Sequence, residues 1–170
     1  MQSGTFGAVL MKTPEVVAKC CKEMIDAVDT EVTVKCRVGV DQQNPDVTLP
    51  KFLEHISNAG VTRVIIHARK AILSGLSPKQ NRNVPPLNYE LVYKMKELFP
   101  DLHLSLNGGI QSIQQAKSHL ENGIDGVMIG RAAYQKPGEV LIDVDKYIFN
   151  DETSEAVSYT HLTLPTMELV

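Results

Sequence analysis

The chain has 170 residues, 43 % of them hydrophobic, with a net charge of −3 and a pI near 5.9. That length supports one domain with a substantial core but falls short of the roughly 250 residues of a complete (β/α)8 barrel. The acidic balance argues against a generic nucleic-acid binder, no apolar run approaches the roughly 18 residues of a membrane span, and the start lacks a signal-peptide pattern, so a soluble cytoplasmic protein is expected.

Met1-Gln2-Ser3-Gly4-Thr5-Phe6-Gly7-Ala8 opens the chain as a glycine-rich loop with no strand before it. Pro14 to Val28 has the spacing of an amphipathic helix, with Val17, Cys20, Cys21, Met24 and Val28 on one face and Thr13 as its N-cap. Val32 to Val38 alternates as a strand, with Lys35 and Arg37 on the face opposite Val34 and Cys36. Thr48 to Ala59 is a second helix closed by Gly60, and Val64 to Ile66 a buried strand that runs into His67-Ala68-Arg69-Lys70. A long proline-containing excursion covers Ala71 to Asn88; long loops inside compact domains are more often functional than idle. Helix Tyr89–Phe99, strand Leu102–Leu106, helix Ser112–Asn122 and strand Val127–Ile129 complete the pattern. Strands alternating with helices at this spacing imply a parallel sheet, four βα units or half of a barrel. Residues 1–155 are taken as this partial barrel. From Ala156 to Thr166 the pattern matches nothing upstream, so 156–170 is expected to be a non-native or disordered tail, with a marginal terminal strand as the alternative.

Two turns carry the strongest chemical signal: Asn107-Gly108-Gly109 after Leu104-Ser105-Leu106, and Gly130-Arg131 after Val127-Met128-Ile129. Each apolar run stops at glycine and leads into a helical pattern, which leaves backbone N–H groups for a phosphate. The turns are roughly 22 residues apart, one βα unit, and the loops after the seventh and eighth barrel strands commonly form such a site. Singly, either reads as a tight turn; in succession they favour phosphate.

Functional groups in parallel α/β proteins gather at the C-terminal ends of strands. Here those ends offer Lys35 with Arg37, His67 with Arg69, Asn107 with its glycines, and Gly130 with Arg131, without one Asp or Glu. That set disfavours metal-assisted or two-carboxylate chemistry and favours an anion. Lys35, on an inward-pointing position, is expected to be buried against one. Taken one by one, each of these groups also reads as a satisfied structural polar residue. From His55 to Tyr89 no acidic residue occurs while Arg63, Arg69, Lys70, Lys79 and Arg82 do; the balance reverses from Glu139 to Glu155. The basic window reads as ordinary solvated surface or as a face for a polyanion. The three cysteines, Cys20, Cys21 and Cys36, have neither disulfide nor zinc spacing and read as reduced structural thiols.

The runs Gln2-Ser3-Gly4 to Phe6-Gly7-Ala8, Val32 to Arg37, Ile66-His67-Ala68-Arg69-Lys70, Leu76-Ser77-Pro78-Lys79 to Asn81-Arg82, Pro85-Pro86-Leu87, Asn107-Gly108-Gly109 and Asp125-Gly126-Val127-Met128 to Gly130-Arg131 together closely resemble the tRNA-dihydrouridine synthases, A-type subfamily. The resemblance covers about residues 2 to 150. It implies a TIM barrel, here its C-terminal half, that reduces uridines of tRNA to dihydrouridine with FMN, regenerated by NADPH. It places Lys35 and His67 against the flavin, Asn107, Gly108, Gly109, Gly130 and Arg131 at its phosphate, and Arg37, Arg69, Lys70, Lys79 and Arg82 near tRNA. The family's proton-donating cysteine sits in a Gly-Cys-Pro turn that would precede Met1, so no catalytic residue and no metal ligand is expected here, nor an obligate protein partner. The chain therefore reads as an inactive internal fragment of such an enzyme, lacking the first half-barrel and the C-terminal helical domain. Alternatives are a phosphate- or RNA-binding half-barrel without catalysis, a flavin barrel acting on a free pyrimidine, or a sugar-phosphate isomerase.

Overall fold

The computed structural model describes residues 7–142 and 144–151; the expectation for 156–170 lies outside them. Gly7–Lys12 winds as a 3-10 turn and leads into α1 (Pro14–Ala27). There follow β1 (Val34–Arg37), α2 (Pro45–Asn58), β2 (Arg63–His67), α3 (Tyr89–Leu98), β3 (His103–Asn107), α4 (Ile113–Glu121) and β4 (Gly126–Met128). Three short helices close the described chain: α5 (Arg131–Gln135), α6 (Pro137–Leu141) and α7 (Val144–Ile148).

The strands form one parallel sheet in the order β1-β2-β3-β4. Arg37, His67, Asn107 and Met128 lie in one row across its C-terminal edge. Strand, helix, strand in strict alternation is the expected α/β architecture, four βα units of a TIM barrel. Period-two alternation divides the faces. Cys36, Val64, Ile66, Leu104 and Leu106 are buried beneath the helices, against Leu49, Phe52, Leu53 and Ile56 of α2 and Leu91, Val92 and Met95 of α3. Each such leucine or isoleucine contributes roughly 1.5–3 kcal/mol of burial. The opposite face carries Lys35, Arg37, His67 and Asn107, none of them fully buried. Beside β1, Met11 reaches the strand edge, its sulfur accepting from the Arg37 N–H at 3.4 Å.

Local departures from the sequence reading have physical causes. Thr13 occupies the N-cap position of α1, but its hydroxyl donates to the Leu10 carbonyl at 3.3 Å and caps nothing. α2 starts three residues before Thr48 because Asn44-Pro45-Asp46 is a complete start signal: Asn44 Oδ1 accepts from the Asp46 N–H at 3.1 Å and Pro45 needs no partner for its nitrogen. β1 is shorter than Val32–Val38 because its ladder runs only from Val64 to His67 on β2. Asn88 and Ser112 cap α3 and α4 through their side chains, accepting from Leu91 N–H and Gln115 N–H.

Candidate functional site

A cavity of about 750 Å³ lies at the C-terminal edge of the sheet, between the ends of β2, β3 and β4, the excursion and the start of α5. His67, Asn107, Gly108, Gly109, Gly130 and Arg131 line it, as do Arg69, Arg82 and Asn83 of the basic segment. Six of the seven residues expected to hold a cofactor thus meet in one place. The seventh, Lys35, reaches this group through Asn107, whose Oδ1 accepts from its ammonium at 3.1 Å while Asn107 Nδ2 donates to the Met128 carbonyl at 2.7 Å. Lys35 is exposed rather than buried, which corrects the expectation of a buried ammonium. Desolvation, then the neighbouring Arg37, still holds its pKa below the ordinary value.

The two glycine turns differ. Gly108 (φ +111°) and Gly109 (φ +77°) adopt a backbone that other residues resist. A Cβ on Gly108 would lie 2.6 Å from His67 Cδ2 and 2.8 Å from its Nε2; one on Gly109 would lie 2.6 Å from Leu87 Cδ1 and 2.7 Å from the Tyr89 hydroxyl. The imidazole of His67 is therefore seated directly on Gly108. Gly130 has nothing within 4 Å of where its Cβ would be, so nothing in the protein itself demands glycine there.

The cations fall into two sets. Arg63 is at the far end of β2, paired with Glu31 at 3.0 Å and donating to His103 Nε2 at 3.0 Å, so the basic window is not one face. The others organise the excursion by donating to backbone carbonyls: Arg37 to Lys70 and Asn81 at 3.1 and 2.9 Å, Arg69 to Asn83 and Pro85, and Arg82 to Pro78. Lys70 donates to the Gln43 carbonyl at 2.8 Å, and Lys79 is exposed. Arg131 reaches back to the excursion, donating to Asn83 Oδ1 at 2.9 Å and to the Arg82 carbonyl at 3.4 Å. Carbonyls and an amide oxygen orient these guanidiniums without neutralising them. The acidic side chain in the lining, Glu139, is paired with Lys136 at 2.9 Å. The cavity is thus cationic and suited to an anion.

His67 reports that field. Burial first, then Arg37, Lys35, Arg69 and Arg131, lowers its pKa from 6.5 to about 4, so the ring is neutral at pH 7. With the folded-state value below the unfolded one, the unfolded chain takes up the proton first as pH falls. Stability is then full above about 6.5 and declines toward about 4, by at most about 3 kcal/mol. Following the His67 ring proton by NMR should give a midpoint near 4 in phosphate-free buffer and a higher one when an anion occupies the cavity. A midpoint near 6.5 in both conditions would contradict the cationic field.

Sequence reasoning missed Asn83 and Tyr89. The Tyr89 hydroxyl donates to the Gly108 carbonyl at 2.7 Å; its place two residues after Pro86-Leu87 was legible only as the first residue of a helix. Among the described residues no group of three His, Cys, Asp or Glu side chains is arranged to hold a metal ion, and no helix is long and apolar enough to cross a membrane.

Residues 1–165 match the family described as dihydrouridine synthase. The chain is 51 % identical over 157 residues to the tRNA-dihydrouridine(20/20a) synthase of Salmonella typhimurium, covering 92 % of this chain and 47 % of that protein. It is 50 % identical to the protein of that name from Escherichia coli (strain K12), covering 92 % and 45 %, and 49 % identical to that from Shewanella oneidensis, covering 87 % and 44 %. The chain thus spans about half the length of the curated relatives it matches.

Proposed function

Since the chain belongs to the dihydrouridine synthase family, we propose that it is part of an enzyme that reduces uridine in tRNA, and that its cavity holds the phosphate of FMN. The observation that carries this reading is the acid-poor cavity where Arg131, the Gly108-Gly109 turn and the neutral ring of His67 meet. The donor set fits a phosphate monoester: an oriented, un-neutralised guanidinium on Arg131 in a lining shared with the Gly108-Gly109 turn and with Arg69 and Arg82.

When bound, FMN supplies the hydride for the uracil ring, and NADPH is the proposed source of its electrons. Arg131 binds and orients the phosphate group. Lys35, fixed by Asn107 on the open face of the sheet, provides a cation for the negative charge of the reduced cofactor. His67, neutral and pressed on Gly108, offers a ring nitrogen as a hydrogen-bond donor without adding charge. Arg37 and Arg69 hold the excursion in shape, Lys70 ties the segment before it to the Gln43 carbonyl, and the loop presents Lys79 and Arg82 to RNA phosphates.

The proton that completes the reduction does not come from this chain's cysteines. Cys36 lies on the helix side of the sheet with its thiol pushed up to about 12 by burial, Cys21 is buried with its pKa raised by the same cause, and Cys20 is exposed on α1. The family resemblance places the donor on the cysteine of a Gly-Cys-Pro turn outside these residues.

The test is dihydrouridine measured by mass spectrometry in tRNA from an Escherichia coli strain lacking its own enzyme and supplied with the full-length protein. Dihydrouridine should return. With Lys79→Ala, flavin content should hold while tRNA binding weakens and the slope of log affinity against log salt falls by about 1. A flavin-loaded protein that leaves tRNA unmodified would favour binding without catalysis.

A further inference from the structure

Gly109 lines the cavity, and its N–H makes no hydrogen bond to another described residue. What fixes the direction of that N–H is a side chain outside the cavity. The peptide joining Gly108 to Gly109 is trans, so its C=O and N–H point in opposite directions. The Gly108 carbonyl is held by the Tyr89 hydroxyl at 2.7 Å. Holding the carbonyl on Tyr89 turns the Gly109 N–H away from Tyr89, and Gly109 lines the cavity while Tyr89 does not. Two consecutive glycines with positive φ could otherwise rotate this plane at little energetic expense.

Tyr89 is itself fixed. Its ring meets that of His119 edge to face, with centroids 4.6 Å apart and planes at 63°. His119 Nδ1 is hydrogen-bonded to the Tyr93 hydroxyl at 2.6 Å, so α3 and α4 are joined by the same three side chains that hold the turn. Burial lowers the His119 pKa and raises that of Tyr89, which keeps the imidazole neutral and the phenol a donor.

We propose that Tyr89, locked by His119 and Tyr93, is a positioning residue that aims the Gly109 N–H at the anion in the cavity. The proposal rests on the phosphate reading above, and the experiment separates the two. FMN affinity of the full-length protein is measured by flavin fluorescence for the unaltered protein, Tyr89→Phe, His119→Ala and Arg131→Ala. In parallel, glycine amides labelled with 15N are followed by NMR as inorganic phosphate is added.

Tyr89→Phe keeps the ring and loses the hydroxyl. It should raise the FMN dissociation constant about five- to tenfold, the effect of one hydrogen bond. The Gly109 amide, which should shift with phosphate in the unaltered protein, should no longer do so. His119→Ala should weaken FMN less and add little on top of Tyr89→Phe, because both act through one contact. If Arg131→Ala weakens FMN and Tyr89→Phe does not, the positioning role is wrong and the phosphate reading stands. If neither changes FMN affinity, both are wrong. Should Tyr89→Phe lower the melting temperature, the Gly109 amide of the folded fraction decides: a phosphate shift as large as in the unaltered protein overturns the proposal.

Discussion

Replacing Gly108 with alanine should be the most damaging single change at the site. The residue has φ +111°, and a Cβ there would come within 2.6 Å of His67 Cδ2 and 3.2 Å of Leu87 Cδ2. A strained backbone for a non-glycine residue costs about 1–3 kcal/mol and a forced contact in packed surroundings about 1–3 kcal/mol more. For a domain of this size a loss of that order lowers the melting temperature by roughly 10 °C. Relief of the clash requires moving His67, so flavin affinity should fall with stability. Gly130→Ala is the control: with no atom within 4 Å of its Cβ, it should leave the melting temperature nearly unchanged. Thermal unfolding of the two variants side by side checks this. Equal and small shifts would mean that the close seating of His67 on the turn is not rigid.

Arg131→Ala should leave the fold intact and weaken flavin. The side chain is exposed, and the protein groups it contacts are the neutral oxygens of Asn83 and Arg82, so its removal leaves no buried charge unpaired. Hydrogen bonds to a charged group contribute about 1.5–3 kcal/mol, which predicts an FMN dissociation constant raised by about one to two orders of magnitude. Riboflavin, which has no phosphate, should bind the variant and the unaltered protein alike. A comparable loss for riboflavin would relocate Arg131 from the phosphate to the ring.

The sheet was legible because its signals are local. Val64-Ile65-Ile66 and Leu104-Ser105-Leu106 show apolar runs that end at turn residues, whereas the caps Asn88 and Ser112 were read as the end of the excursion and the first residue of a helix. The start of α2 was misplaced because the apolar period begins at Leu49, whereas the helix is set by Asn44 and Pro45 ahead of it. The assembly of the cavity was partly legible, since strand ends in a parallel sheet converge on one edge. Contacts that depend on distant chain were not. Arg37 meets the Asn81 carbonyl 44 residues on, and Arg131 meets Asn83 48 residues back. A backbone acceptor has no signature in the side-chain sequence, so the contacts by which Arg37, Arg69 and Arg82 shape the excursion were not legible. The seating of His67 on Gly108 was hidden for the same reason: both residues were visible, but their contact was not.

The measurement closest to the central claim is the 31P NMR spectrum of FMN bound to the full-length protein. A phosphate resonance shifted and broadened relative to free FMN, and restored toward the free position in Arg131→Ala, is the predicted result. Flavin that binds tightly while its phosphate keeps the free resonance, unchanged by Arg131→Ala, would contradict the assignment of this cavity to the cofactor phosphate.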